Sequence, residues 1–214
     1  MPRIRRSQDG NTRLEIVRKT VHVLVGALIV LGLASGILDV WLLALITAVV
    51  GGAVLYNAIW ERELLSRALS VNRADAAAPG LDLLAYFFGC LAVVALFPST
   101  IAFGAILILA IGDPLAHLFG TSFGGRAAAV TPTSYRLGFV AGTIGGALAA
   151  WVHVPLLPAL LASASAMFVE AGELRIADHH IDDNLTIPLV AGLVLWVLWS
   201  IAIDFGIAWL WTAT

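Results

Sequence analysis

Cysteine and charge are the two things that this sequence has least of. Its 214 residues include one cysteine, Cys90, in an apolar stretch, which excludes a disulfide framework and a cysteine metal site. Only 12% of the residues are charged and 60% are hydrophobic, whereas a soluble domain has about 25% charged residues. We expect no secretory signal and no soluble second domain, because the first apolar run, from about Val21, is long enough to span a membrane.

Apolar runs of membrane length fill most of the chain. They predict an all-α, polytopic integral membrane protein of about seven transmembrane helices, one of them broken near Gly112–Pro114. The expected spans are 21–37, 40–59, 83–96, 101–119, 137–152, 155–169 and 185–203. The predicted organisation is a basic N-terminal segment, residues 1–20, followed by a single transmembrane domain, residues 21–214.

Basic residues are sorted to one side of this predicted topology. With the N-terminus inside, all twelve Lys and Arg residues fall in the inside segments 1–20, 60–82, 119–136 and 170–184. The outside turns hold Asp39, His153 and Asp204 instead. This positive-inside pattern predicts a cytoplasmic N-terminus and a cytoplasmic active site, on the side where nucleotides are found.

The densest group of charges lies between two apolar runs, in residues 170–188. Carboxylates packed this closely repel one another and need a cation, a basic partner or water. Oxygen ligands without cysteine favour Mg²⁺, with phosphate completing its shell, over a transition-metal site at His179 and His180. A solvated loop is the alternative interpretation. The carboxylates are Glu170, Glu173, Asp178, Asp182 and Asp183.

A polar stripe enters the first span at helical spacing, formed by Glu15, Arg18, Lys19 and His22. On one helix face, Arg18 and Lys19 can hold phosphate oxygens while Glu15 pairs with one of them. The alternative is a charged helix end that anchors the span at the membrane surface. His22 favours the phosphate site, because an anchor does not need an imidazole that faces inward.

The fourth predicted span contains Gly112, Asp113 and Pro114 at membrane depth. Asp before Pro is typical of an N-cap followed by the first helical position. We therefore expect the helix to break at Gly112, and a broken helix exposes N–H groups that suit phosphate. Asp113 and His117 lie one turn apart on one face, and an ionisable residue within a span indicates function. A proline kink capped by Asp113 is the alternative.

Two glycine patterns follow. The loop from Gly120 through Gly124 to Arg126 can bring backbone N–H groups to phosphates, although it is not a Walker A sequence. A second set recurs every four residues and predicts close helix packing in the membrane. These glycines are Gly138, Gly142 and Gly146.

Three segments together resemble the polyprenol kinase family, which includes dolichol kinase, phytol kinase and CTP-dependent diacylglycerol kinase. They read EIVRKTVHVLVG at 15–26, GDPLAHLFGTSFG at 112–124 and EAGELRIADHHIDDNLTIPL at 170–189. The resemblance implies transfer of the γ-phosphate of a nucleotide, typically CTP, to a lipid alcohol with Mg²⁺. The residues that match the family pattern are Glu15, Arg18, Lys19, His22, Asp113, Gly120, Gly124, Glu170, Asp183 and Asn184.

The chain departs from the family at one place. The family usually has a lysine and a glutamate before a small-residue helix, where this sequence has Ser134 and Leu137. Arg136 is the candidate to supply the lost positive charge.

The combined prediction is a membrane phosphotransferase that acts on a prenol such as dolichol, phytol or geranylgeraniol. Its partners are CTP or ATP, the prenol and membrane lipids, with no nucleic acid. The predicted catalytic residues are Asp113, Asp183, Asn184 and Glu170, with Asp113 or Asp183 as the group that takes the alcohol proton. Mg²⁺ is assigned to Asp113 with Asp182 or Asp183. The predicted phosphate-binding residues are Glu15, Arg18, Lys19, His22, His117, Gly120, Gly124, Arg126 and Arg136.

Two other classes stay open. A CDP-lipid synthase would use the same residues but attack the α-phosphate and release pyrophosphate. A transporter or a non-catalytic relative is favoured by the missing lysine and glutamate, although the two-fold repeat common among transporters is not evident in the sequence.

Overall fold

The computed structural model describes residues 2–60, 80–123, 132–171, 175–176, 179–180, 182–206 and 211. Its helices are α1 (Pro2–Ala34), α2 (Val40–Trp60), α3 (Leu81–Leu96), α4 (Ser99–Leu107), α5 (Asp113–Phe123), α6 (Pro132–Ala150), α7 (Leu156–Ala171) and α8 (Asp183–Asp204). A π-helical turn, Ile108–Gly112, joins α4 to α5 without a gap. We call α4, this turn and α5 the central rod.

A helix lies over each of the seven predicted apolar runs, so the prediction of a helical fold is confirmed at that level. Four helical stretches are long and apolar enough to cross a membrane: Ile16–Ala34, Val40–Asn57, Ser99–Gly120 and Asp183–Asp204. The apolar parts of the other three are shorter, and a 16-residue helix such as α3 is only about 24 Å long against a hydrocarbon core of about 30 Å. The structure therefore supports four spans by length and composition.

The central rod forms the core of the bundle. Within its spanning stretch 67% of the residues are buried, against 17% in the spanning stretch of α1. Ile106, Ile108 and Leu109 are fully enclosed, whereas Leu28 of α1 and Trp41 of α2 are 66% and 80% exposed. Large apolar side chains on the outside of a helical bundle are typical of a protein solvated by lipid.

The predicted break at Gly112 is wrong. Asp113 has helical dihedral angles, φ −58° and ψ −49°, and is not an N-cap. The reason lies in Pro114, whose ring would clash with the carbonyl four residues earlier in an α-helix. The extra residue of a π turn moves that carbonyl aside, so the helix continues. Helix α5 then runs to Phe123, so Gly120 lies within this helix and not in a loop as predicted.

The predicted glycine packing is confirmed. Helix α6 lies so close to the central rod that a Cβ on Gly142 would meet the Cβ of Ala116 at 2.8 Å and the carbonyl oxygen of Gly112 at 2.9 Å. A Cβ on Gly138 would lie 2.7 Å from the Ala116 carbonyl oxygen. The bare stripe on α6 therefore brings two backbones together, as small residues do between membrane helices.

A second proline, Pro188, lies inside α8. It has no N–H for the carbonyl of Asn184, four residues earlier. That carbonyl oxygen points to α3, where a side chain at Gly89 would run into it. Gly89 therefore allows the first turn of α8 to approach α3.

Part of the acidic segment forms a structure that we did not predict. Strand β1 (Arg175–Ile176) pairs antiparallel with β2 (His179–His180), with Arg175 opposite His180 and Ile176 opposite His179. Two residues per strand are too few for an alternating pattern to be visible in a sequence. The segment thus returns on itself between α7 and α8.

Candidate active site

A buried ion pair joins α1 to the central rod. The ammonium of Lys19 donates to both carboxylate oxygens of Asp113, at 2.8 Å to Oδ1 and 2.7 Å to Oδ2. Both side chains are largely enclosed, with 16% and 8% of their surface exposed. Lys19 and Asp113 come from the first two segments that resemble the kinase family, so the fold brings these segments together.

His22, one turn further along α1, lies beside this pair. Its Nε2 is 3.6 Å from Asp113 Oδ2, too far for a hydrogen bond, and has no hydrogen-bond partner among the described residues. The buried imidazole therefore lies beside the ion pair without a hydrogen bond to it.

Tyr86 of α3 holds His22 from the other side. Its ring meets the imidazole edge to face, with centroids 4.2 Å apart. Its hydroxyl donates to the carbonyl oxygen of His22 at 3.1 Å. Because an aromatic ring and a hydrogen bond both act on His22, α3 supports the part of α1 that carries the site.

Asp82 connects the same region to α8. It accepts a hydrogen bond from Arg18 at 3.1 Å, and its carbonyl accepts from the side chain of Asn184 at 3.4 Å. The sequence analysis missed both Asp82 and Tyr86. An acidic residue in the first turn of a helix, followed four residues later by an aromatic with a polar tip, was the available signal.

The third resembling segment enters the site through the start of α8. Asp182 is the N-cap of this helix, and its side chain accepts from the Asn184 N–H at 2.9 Å. Asp183 is the first residue of α8, as predicted for a carboxylate at the mouth of the last span. Burial raises the pKa of the Asp182 carboxyl, and the charges of Asp82 and Asp113 act in the same direction.

Glu170, near the end of α7, completes the group. It interacts electrostatically with Asp113, Asp183 and Lys19. The site thus draws on five helices or helical rods, and its carboxylates outnumber its described basic side chains. The carboxylates are Asp82, Asp113, Glu170, Asp182 and Asp183, and the basic side chains are Arg18 and Lys19.

The structure also shows where some of the other predicted phosphate-binding residues lie. His117 acts electrostatically on Asp113, as expected for a residue one turn away. Gly120 is helical and packs against Gly138. Arg136 is exposed and forms no ion pair with any described residue. The remaining predicted positions, or their side chains, lie outside the described residues: Glu15, Gly124, Arg126, Glu173 and Asp178.

The ligand chemistry of the site fits a hard cation such as Mg²⁺, because its donors are carboxylate oxygens in excess of the basic groups. Lys19 holds both oxygens of Asp113, which leaves Asp182 and Asp183 as the carboxylates best suited to a metal. In the part of the chain that the structure describes, no three His, Cys, Asp or Glu side chains are grouped as metal ligands. The assignment of Mg²⁺ therefore stays a prediction, and it is based on the excess of carboxylates over basic side chains at the site.

Fold and site together define a helical bundle with four helices long and apolar enough to cross a membrane, and with a buried, charged, predominantly acidic site at one end. Comparison of the chain with protein-family models, with curated proteins and with solved structures finds no match.

Proposed function

We propose that the chain is a membrane lipid-alcohol kinase that transfers the γ-phosphate of a nucleotide, CTP as the expected donor, to a prenol. The acceptor class is that of dolichol, phytol and geranylgeraniol, and the reaction is Mg²⁺-dependent. This function is the one that the resemblance of three sequence segments to the polyprenol kinases implies. The geometry adds a reason to take the three segments as one site.

The observation that carries the proposal is the convergence on Asp113. Lys19 is 94 residues away in the sequence and binds both of its oxygens. Glu170 and Asp182 interact with it electrostatically. Buried charges in a membrane protein are costly, and they mark functional sites more often than structural ones.

Phosphoryl transfer needs positive charge placed against the phosphates and little covalent chemistry from the protein. Lys19 has three N–H donors, and two of them reach Asp113. The third is available for a phosphate oxygen, with Asp113 holding the ammonium in place. Arg18, fixed by Asp82, supplies a second cation at the same end of the bundle.

The acidic residues take the other roles. Asp182 and Asp183 would hold Mg²⁺, and the chemistry that the ion supplies when bound is neutralisation of the charge on the transferred phosphoryl oxygens. Asp113 is engaged on both oxygens by Lys19, which favours Asp183 as the group that takes the proton of the alcohol. Glu170 and Asn184 keep the catalytic roles that we predicted from the sequence.

We extend the proposal to topology. The sorting of all twelve basic residues supports a cytoplasmic site end, and the three shorter helices would bring the number of spans to seven. A helix shorter than the bilayer is accommodated by local thinning of the membrane or by oligomerisation. The prenol hydroxyl would approach the site from the cytoplasmic rim, with its apolar tail in lipid.

Purified protein incubated with labelled CTP or ATP, Mg²⁺ and a panel of prenols tests the function directly. A kinase yields CDP or ADP and a prenyl monophosphate. Pyrophosphate and a CDP-lipid would identify a synthase, and the absence of turnover with every donor and acceptor would favour a non-catalytic protein.

One substitution with a matched control tests the site. Asp183→Asn keeps the shape of a proposed metal ligand and proton acceptor but removes its charge, so turnover should fall by at least about 100-fold. Asp204→Asn makes the same change at the other end of α8, where the side chain is exposed, and should leave turnover unchanged. Equal activity of the two variants would remove Asp183 from the site.

A further inference from the structure

Tyr86 of α3 binds the backbone of α1 through its hydroxyl. The residue is only 2% exposed, so the buried phenol needs a hydrogen-bond partner within the protein. That partner is the carbonyl oxygen of His22, to which the hydroxyl donates at 3.1 Å. In an α-helix this carbonyl also accepts from the N–H of Gly26, four residues later, and its second lone pair is left for the hydroxyl. A single hydrogen bond thus connects α3 to the main chain of α1.

Gly26 leaves a notch in α1 at this point. A Cβ on Gly26 would overlap with two groups at once, the Tyr86 hydroxyl and the Cβ of Ala110 in the π turn. Because glycine has no side chain, α3 and the π turn can both approach the backbone of α1 here. Three parts of the bundle therefore meet at this one residue.

The ion pair of the site lies close to this junction on both of the helices that form it. On α1, Lys19 comes three residues before His22, and on the central rod, Asp113 comes three residues after Ala110. Residues three apart in a helix are neighbours on the same face. The contact of Gly26 with Ala110 and the bonds of Lys19 to Asp113 together fix the register of α1 against the rod. A shift of α1 at the junction would therefore reach the ion pair.

We propose that Tyr86 is a positioning residue: its hydroxyl, seated in the notch at Gly26, holds α1 in the register that places Lys19 on Asp113. It acts through the main chain of α1, since the hydroxyl is donated to a carbonyl of that helix. The catalytic part of this inference rests on the proposed function, in which Lys19 binds a phosphate oxygen. The structural part, that loss of the hydroxyl loosens the hold on Lys19, does not.

The structural part can be tested on one side chain, because Lys19 is the only lysine in the sequence. Reductive methylation of the purified protein, with the modified amine located by mass spectrometry, measures how readily Lys19 leaves Asp113. Tyr86→Phe keeps the ring but removes the hydroxyl, and it should raise this rate by at least about threefold. Thr47→Val is the matched control, because it also removes a buried hydroxyl that donates to a backbone carbonyl, but one within α2. It should leave the rate unchanged, and equal rates for the wild type and Tyr86→Phe would overturn the proposal.

Turnover tests the catalytic part. At matched amounts of folded protein, Tyr86→Phe should lower kcat by about tenfold or more, because a displacement of about 1 Å in a site is enough for such a loss. Thr47→Val should keep the kcat of the wild type. Faster methylation of Tyr86→Phe with an unchanged kcat would overturn the catalytic part. If the wild type phosphorylates no prenol, the proposed function fails, and the methylation rates still decide whether Tyr86 positions Lys19.

Discussion

Removing either charge of the Lys19–Asp113 pair should destabilise the fold strongly, and removing both should be much less harmful than the sum. Opposite unit charges 2.7 Å apart attract by about 6 kcal/mol at an effective dielectric constant of about 20. Desolvation of each ion opposes this by several kcal/mol, so the intact pair is close to neutral for stability. A single partner left behind keeps its desolvation cost without the attraction. Lys19→Met and Asp113→Asn should each cost about 3–5 kcal/mol.

Reversible unfolding in mixed micelles with SDS, followed by the fluorescence of the seven tryptophans, measures these differences. Because the intact pair is close to neutral, the double variant should lose much less than the sum of the two single losses, which corresponds to a coupling energy of at least about 3 kcal/mol. Arg18 and Asp82 provide the control, because that pair is 34% and 45% exposed and should couple by less than about 1 kcal/mol. If the losses at Lys19 and Asp113 add to within about 0.5 kcal/mol, the reasoning about a buried, mutually dependent pair is refuted.

Three further predictions follow from the packing, the capping and the charge sorting. Gly142→Ala should cost about 1–3 kcal/mol, because its Cβ would lie 2.8 Å from a neighbouring methyl carbon. Gly52→Ala, with no atom within 4 Å of its Cβ, should gain about 0.5–1 kcal/mol in the same unfolding assay. Asp182→Asn should exceed the wild type in stability at neutral pH, because burial raises the pKa of Asp182 in the fold while Asn remains a good N-cap. That advantage should shrink as the pH falls through the folded pKa and vanish below the unfolded value of about 3.9, and a pH-independent difference would argue against it. Single cysteines at Ser7 and Ala177 should be labelled from the same side of the membrane, and labelling from opposite sides would exclude the proposed topology.

The hydrophobic pattern predicted the helices well because each apolar run is bounded by charge, Gly or Pro. The sequence also pointed to Lys19, Asp113 and Asp182, because charged residues within or next to apolar runs are energetically costly and therefore indicate function. It could not show that Lys19 would take both oxygens of Asp113, because that contact depends on how α1 packs against the central rod.

The error at Gly112 has a specific physical origin. Asp-Pro is a common start of a helix, and local sequence does not distinguish a new helix from a π turn that absorbs the proline. The distinction depends on how another part of the chain packs against the helix. Here Gly26 of α1 packs against Ala110 of the π turn, and this contact joins parts of the chain that are far apart in the sequence. We did not predict roles for Tyr86 and Asp82 for a similar reason. Their contacts with α1 and α8 exist only in the folded bundle, where three helices come together.

The two helix prolines have a consequence for the order in which the protein is assembled. Pro114 and Pro188 each leave a carbonyl without its partner in its own helix, and an unpaired carbonyl exposed to lipid is destabilising by several kcal/mol. Each of these two helices is therefore less stable alone in a bilayer than when it is packed against its neighbours. Gly89 of α3 lies against the carbonyl of Asn184, and Gly26 of α1 lies against Ala110 in the π turn. Both glycines come earlier in the chain than the proline-containing helix that they contact, so during synthesis each of these helices leaves the ribosome after its docking site has been made.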